Sequence, residues 1–404
     1  MNSYPQSLIK LLKISVNQSQ MTNNMFTPIL SHTETSYGML TSPPITTATV
    51  LSGDSTTLVQ VLKTRINDIM EKNPWLGGVL CKNNHGDVII LPGVYQCFQH
   101  LPDHNTISYE YNLQTFIRQC SWYAVQTGWT SIDTEEILFR VSLIPDANVL
   151  HQHILIVSMN HLLGDGALYY QIYNMINSAS EVTQLSPHRP IHLDEQIKVH
   201  QGDGVKWFNS WSFMCGIVYT LFFASAAKVT ASDVNTNKIN AIKKNHTGFI
   251  STNDILTSCF FNSSGCTHGI MPVNLRTRIS NDTDMSNNAC NCVGVTIHDL
   301  DVLQTPLDIR EKLQASQLIP TTQKLPSFYK SCCGKFAAVT NWSTFYKKIT
   351  IGTHETIFHV PIADLTNTPM HSVMIIYNNS KCLSTIRVTR DTFNQRLSDA
   401  YNVF

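Results

Sequence analysis

Met159-Asn160-His161-Leu162-Leu163-Gly164-Asp165-Gly166 closes one apolar run and opens another. Before it, residues 154–159 (ILIVSM) are apolar almost without a break, as in a strand buried on both faces. After it, residues 167–176 (ALYYQIYNMI) read as a helix. His161 therefore falls where a buried strand ends and the chain turns, a place where functional side chains collect in α/β folds. Two readings stay open at this level. His161 faces a cleft as a base while Asp165 turns inward, or His161 is a core histidine and Asp165 caps the following helix. With sixteen histidines in the chain, spacing alone does not separate them.

Working outward, the chain alternates helices and strands. Residues 56–70 place Leu58, Val61, Leu62, Arg65, Ile66 and Ile69 at helical spacing behind a cap at Asp54 or Ser55. Residues 78–81 and 87–91 pair across an Asn84-His85-Gly86 turn, residues 113–123 form a helix, and residues 137–144 form a strand. Residues 180–204 are polar with Pro187, Pro190 and Gly202, an exposed connection, and residues 230–247 read as a polar linker. The second half restarts with a capping-box-like Ser251-Thr252-Asn253-Asp254, and Thr305-Pro306 opens another helix. Strands are expected over 269–275, 293–297, 337–340, 357–361, 373–377 and 383–388. The implied division is 1–204, a crossover segment over 205–247, and 248–404.

Composition narrows the function classes. A chain of 404 residues is long enough for two domains, and 43% apolar residues can fill real cores. Zero formal net charge removes the electrostatic footprint of a nucleic-acid binder. Eleven cysteines follow no framework, and neither Cys332-Cys333 nor Cys290-Asn291-Cys292 has zinc spacing, so no metal is expected. Residues 7–16 are apolar but broken by Lys10 and Lys13, unlike a signal peptide, and the sequons at Asn262 and Asn281 do not argue for secretion. The expectation is a cytoplasmic monomer. Residues 207–227 are uncharged yet diluted by Asn209, Ser210, Ser212, Thr220 and Ser225, which favours a buried or interfacial helix with peripheral membrane contact over a span.

Taken together, His161…Asp165-Gly166, residues 73–80 (NPWLGGVL), 251–256 (STNDIL), 271–278 (MPVNLRTR) and 340–345 (TNWSTF) resemble the chloramphenicol acetyltransferase-like superfamily, in family order over roughly residues 50–390. That superfamily includes the BAHD enzymes, alcohol acetyltransferases, wax ester synthases and peptide-synthetase condensation domains. This sequence departs from condensation domains at Asn160, where a first histidine is usual. It departs from BAHD enzymes at residues 348–355 (KITIGTHE), where their late motif is missing. It looks closer to alcohol acetyltransferases or wax synthases.

The resemblance implies an α/β fold of two domains, each a mixed sheet flanked by helices, with a tunnel between them. It implies acyl transfer from acyl-CoA, a co-substrate and not a bound cofactor, to an alcohol or amine, with His161 as general base and no covalent acyl-enzyme. A carrier-bound thioester donor and a non-catalytic scaffold are the alternatives. It further implies that Asp165 pairs with Arg276, or failing that Arg278, and that Gly166 makes a tight turn. Asn341 and Ser343 are candidates for oxyanion or tunnel-lining roles, and Asn160 for the same cleft.

Overall fold

The computed structural model describes residues 28–404 except 92, 94–95, 104–106, 191, 203, 209, 280–284, 320–324, 364–367, 369 and 391–392. The apolar run at 7–16 and the sequon at Asn281 lie outside the described residues. The strands are β1 (Ile45–Ser52), β2 (Val79–Lys82), β3 (Val88–Leu91), β4 (Phe98–His100), β5 (Phe139–Pro145), β6 (Gln152–Met159) and β7 (Lys228–Asp233). They continue as β8 (His268–Asn274), β9 (Val293–Asp299), β10 (Phe336–Asn341), β11 (Thr350–Ile351), β12 (His354–Pro361), β13 (Ser372–Asn378) and β14 (Leu383–Thr389). The longer helices are α1 (Ser55–Lys72), α2 (Leu113–Ser121), α3 (Gly166–Met175), α4 (Leu193–Gln201), α5 (Trp211–Phe223), α6 (Thr236–Lys244), α7 (Thr252–Ser263), α8 (Pro306–Gln314) and α9 (Gln395–Tyr401).

Two mixed sheets organise these elements. The first runs β11-β12-β1-β6-β5-β4 and the second β7-β14-β13-β10-β8-β9, with β2-β3 a separate hairpin. Each sheet takes in strands remote in sequence: β7 is an edge of the second and pairs antiparallel with β14, while β12, with β11 outside it, pairs antiparallel with β1 in the first. The region read as a polar linker thus holds a sheet strand followed by α6, and its polarity reflects an edge strand whose residues are largely solvent-facing. Similarly, the connection at 180–204 contains α4, which buries Leu193 and Ile197 against Leu275, Ile279 and Met285.

Local chemistry sets the helix starts. Asp54 accepts from the amides of Thr56 and Thr57, and α1 buries Leu58, Leu62, Ile66 and Ile69. Ser251 and Asp254 close a reciprocal capping box on α7; Thr305 and Asp308 do the same on α8, with Pro306 at its first position. Asp254 also accepts from Arg310 at 2.6 Å, tying the two helices together.

Strand β1 lies at the centre of the first sheet although its sequence, ITTATVLS, gives no apolar alternation. Its hydroxyls are buried because each has a partner. Thr46 meets Ser158 at 2.8 Å, Thr47 meets the Tyr169 hydroxyl at 2.7 Å, and Thr49 meets Tyr173 at 2.8 Å and His359 Nδ1 at 2.9 Å. His359 stacks on Tyr346 with ring centroids 4.2 Å apart.

Two buried histidines make stability depend on pH. Burial pushes the pKa of His359 down to about 3, and burial with the nearby Lys312 charge does the same to His298. Both rings stay neutral in the folded chain, while the unfolded chain protonates them below the ordinary 6.5. The unfolded state therefore binds more protons between pH 6.5 and about 3, and stability falls as pH drops through that window. Between pH 7 and pH 5 these two together cost roughly 4 kcal/mol, and His371, pushed down to about 4 by burial, adds to the loss that denaturant titrations should show. Replacing both by non-titrating residues should remove roughly 4 kcal/mol of that difference; an unchanged difference would refute the assignment.

Candidate active site

His161 follows the last residues of β6, whose buried run fixes the strand end, and precedes α3. Its side chain is half-buried, and its Nδ1 is enclosed without a hydrogen-bond partner. Burial lowers the imidazole's pKa below 6.5; its own carbonyl, the Asp165 charge, Asn291 and the Glu34 charge pull upward without cancelling that. The ring is therefore neutral at pH 7, able to accept a proton.

Asp165 performs both of the tasks weighed for it. Oδ1 accepts from the amides of Ala167 and Leu168, each at 3.1 Å, capping α3. Oδ2 lies 2.6 Å from Arg276 Nη1 and 3.0 Å from the Cys292 amide. Arg276, just past β8 of the second sheet, also donates to the Cys290 carbonyl at 2.6 Å. Burial would lower the guanidinium's pKa, but the Asp165 carboxylate more than offsets it and holds it above the usual value. Arg278 serves elsewhere: it donates to the carbonyls of Ala315 and Leu313 at the end of α8.

The remaining residues separate. Asn160 is 1% exposed, and its amide is occupied at both ends: Nδ2 donates to the Gln126 carbonyl and Oδ1 accepts from the Leu162 amide, both at 2.9 Å. It holds the turn and does not line a cleft. Gly166 is the first residue of α3, without a positive φ, so no tight left-handed turn requires glycine there. A Cβ on it would meet Trp342 at an ordinary 3.5 Å, whereas a Cβ on Gly164 would come within 2.2 Å of Leu168. Asn341 and Ser343 share a cavity of about 480 Å³ with Lys243, Ser251, Thr252 and Asn253, and His161 does not line it. Asn341 donates to Asn253 at 3.0 Å and accepts from the Ser343 hydroxyl at 2.7 Å. Trp342 is the link between this late segment and the His161 turn, through its approach to Gly166.

A second buried ion pair was not anticipated. Glu34, fully buried, receives both Nε and Nη2 of Arg189 at 2.8 and 3.0 Å. Arg189 Nη2 also donates to the Leu162 carbonyl at 3.0 Å. Asn291 donates its backbone amide to Glu34 at 2.9 Å and its side-chain amide to the His161 carbonyl at 2.9 Å. Segments near residues 34, 189 and 291 thus converge on the carbonyls of the His161 turn. Only the isolated arginine in the Pro-rich 187–190 stretch hinted at this, and it gave no partner. Glu34→Ala would leave the Arg189 guanidinium buried and half-paired, so chemical denaturation should show a loss of about 3–5 kcal/mol. A loss below about 1 kcal/mol would mean that water or another acceptor replaces the carboxylate.

Among the described residues, no group of three or more His, Cys, Asp or Glu side chains is placed to hold a metal. No protein-family profile matches the sequence, and no curated protein sequence does. Solved structures do match. TRI101 of F. graminearum, crystallised with ethyl coenzyme A, superposes with a TM-score of 0.60 at 12% identity, covering 93% of this chain and 97% of that one. The chain takes the chloramphenicol acetyltransferase-like fold. Polyketide synthase associated protein 5 from Mycobacterium tuberculosis gives 0.58 at 13% identity over 94% and 97% of the two chains. The first condensation domain of the CDA synthetase gives 0.56 at 10% over 94% and 95%. These likenesses cover more than nine tenths of the chain, both sheets included.

Proposed function

We propose that this chain transfers an acyl group from an acyl-CoA thioester to an alcohol or amine acceptor, with His161 as the general base. The observation that carries the reading is a neutral, half-buried imidazole on a turn whose backbone two buried ion pairs hold in place. In this reading a nitrogen of His161 takes the acceptor's proton as its oxygen or nitrogen attacks the thioester carbonyl. The tetrahedral intermediate then collapses, the C–S bond breaks, and the imidazolium returns the proton to the departing thiolate. No group on the enzyme is acylated.

The donor side falls to the 480 Å³ cavity. Lys243 stands there beside the N-terminus of α7, a combination that suits the phosphates of CoA. A passage between the sheets would bring the pantetheine arm to His161, and Asn341 or Ser343 would donate to polar groups along it or to the developing oxyanion. Structures of this fold crystallised with coenzyme A, together with T-2 toxin or deoxynivalenol, support a small-molecule acceptor.

The testing experiment is a thiol-release assay with acyl-CoA donors of graded chain length against panels of alcohols and amines, run beside His161→Ala. Acceptor-dependent CoA release abolished by the substitution supports the reading. The condensation-domain likeness keeps a carrier-bound donor in play. Release seen only with acyl-pantetheinyl carrier protein would replace CoA in the proposal, and no release with either donor would favour a binding role.

A further inference from the structure

Between Asp203 and Asp233 the sequence contains no Asp or Glu, and its lysines stand near the ends at positions 206 and 228. Its central helix, α5, is turned the wrong way round for a water-facing surface. Phe213 and Thr220 pack inward, and Gly216 sits so close to the Ser331 carbonyl that a Cβ would come within 2.3 Å of it. The opposite side carries Trp211, Val218 and Phe222 in line at i, i+7 and i+11, with Trp211 and Phe222 each 77% exposed. Tyr219 and Phe223 lie beside that stripe, their rings 5.1 Å apart.

The patch extends beyond α5. The short helix Phe328–Cys332, held to this region by the Trp207 indole donating to Ser331 Oγ at 2.7 Å, exposes Phe328 and Tyr329. Its Lys330 pairs with Asp301, which brings exposed Val302 and Leu303 alongside. At 150–250 Å² per aromatic side chain, the exposed rings alone present on the order of 800 Å², above the largest patch usual for a soluble monomer. Among the described residues, no helix is long and apolar enough to cross a membrane.

We propose that this face docks on an anionic lipid surface. Trp and Tyr beside Phe are the side chains that settle at the headgroup boundary, and the exposed Lys228 and Lys335 complement anionic headgroups, with Asp301 already neutralised by Lys330. A second copy of the chain is the rival occupant, and sedimentation velocity separates it from a lipid surface. The helix lies in the interface with its stripe inserted and Lys228 at the phosphate level.

The test is sedimentation of the full chain with vesicles of phosphatidylcholine alone and of phosphatidylcholine with phosphatidylserine. Wild type is expected to pellet with the mixed vesicles. Trp211→Ser with Phe222→Ser should weaken binding at least about tenfold. Lys228→Gln with Lys335→Gln should weaken binding to the anionic vesicles by about 25-fold, at roughly fivefold per lysine, and spare the neutral ones. All four positions are solvent-facing, so thermal unfolding should be unchanged and mark the variants as folded. Wild type remaining in the supernatant with both lipids would overturn the proposal. So would a wild-type dimer in sedimentation velocity that the serine variant converts to monomer without vesicle binding by either protein.

Discussion

His161→Ala is expected to lower kcat by about 10²–10⁴-fold while KM and the unfolding midpoint hardly move. The turn's fixed points are backbone carbonyls and the Asp165 carboxylate, none of which the substitution touches. What disappears is the proton acceptor. The pH profile carries independent information. Because burial keeps the imidazole's pKa below 6.5, the acid limb of kcat/KM should lie below that value and the rate should level off above it. The test is thiol release in single-turnover and steady-state modes over pH 4.5–8. A variant retaining a third of wild-type turnover, or an acid limb centred above 6.5, would remove His161 from the base role.

The second large effect concerns stability and is asymmetric. Asp165→Ala removes the cap of α3, the acceptor of the Cys292 amide and the counter-charge of Arg276. The guanidinium then remains buried with the Cys290 carbonyl as its named partner, and the expected loss is about 3–5 kcal/mol. Arg276→Met strands the carboxylate less severely, because three backbone amides still donate to it, so its cost should be visibly smaller. The double variant should cost less than the sum of the two, by roughly 1–3 kcal/mol. Additive losses in urea titrations would show that the two side chains do not interact energetically, whatever their separation.

Which parts of this were legible in the sequence follows from how local each signal is. The His161 turn announced itself because strand, turn and helix are contiguous and their apolar patterns differ in kind. The helix starts at Ser251 and Thr305 were readable for the same reason: a capping box is complete within four residues. Residue roles were another matter. Asp165 could not be assigned between cap and ion pair, since the two belong to different oxygens of one carboxylate. Strand β1 was hidden because its burial depends on hydroxyl partners drawn from β6 and α3 and, at His359, from a strand more than 300 residues away. The Glu34–Arg189 pair was invisible because nothing in either neighbourhood points across the 155 residues between them. Arg276 was found only through the resemblance of its segment, and periodicity would not have distinguished it from Arg278. The exposed reading of 180–204 failed where two apolar residues, Leu193 and Ile197, are enough to seat a helix once a partner surface exists.

The seating of β12 beside β1 has a bearing on how the chain is made. Strand β1 is flanked by β6, present early, and by β12, which ends at residue 361 of 404. On the ribosome the first sheet therefore waits, with one side of β1 unpaired, until residue 361 has been synthesised, more than 300 residues after β1. An expression fragment stopping near residue 204 would carry that open edge permanently and should aggregate, and adding residues 349–361 in trans is the natural remedy. The same wiring means that limited proteolysis near residue 345 should release no independently folded half.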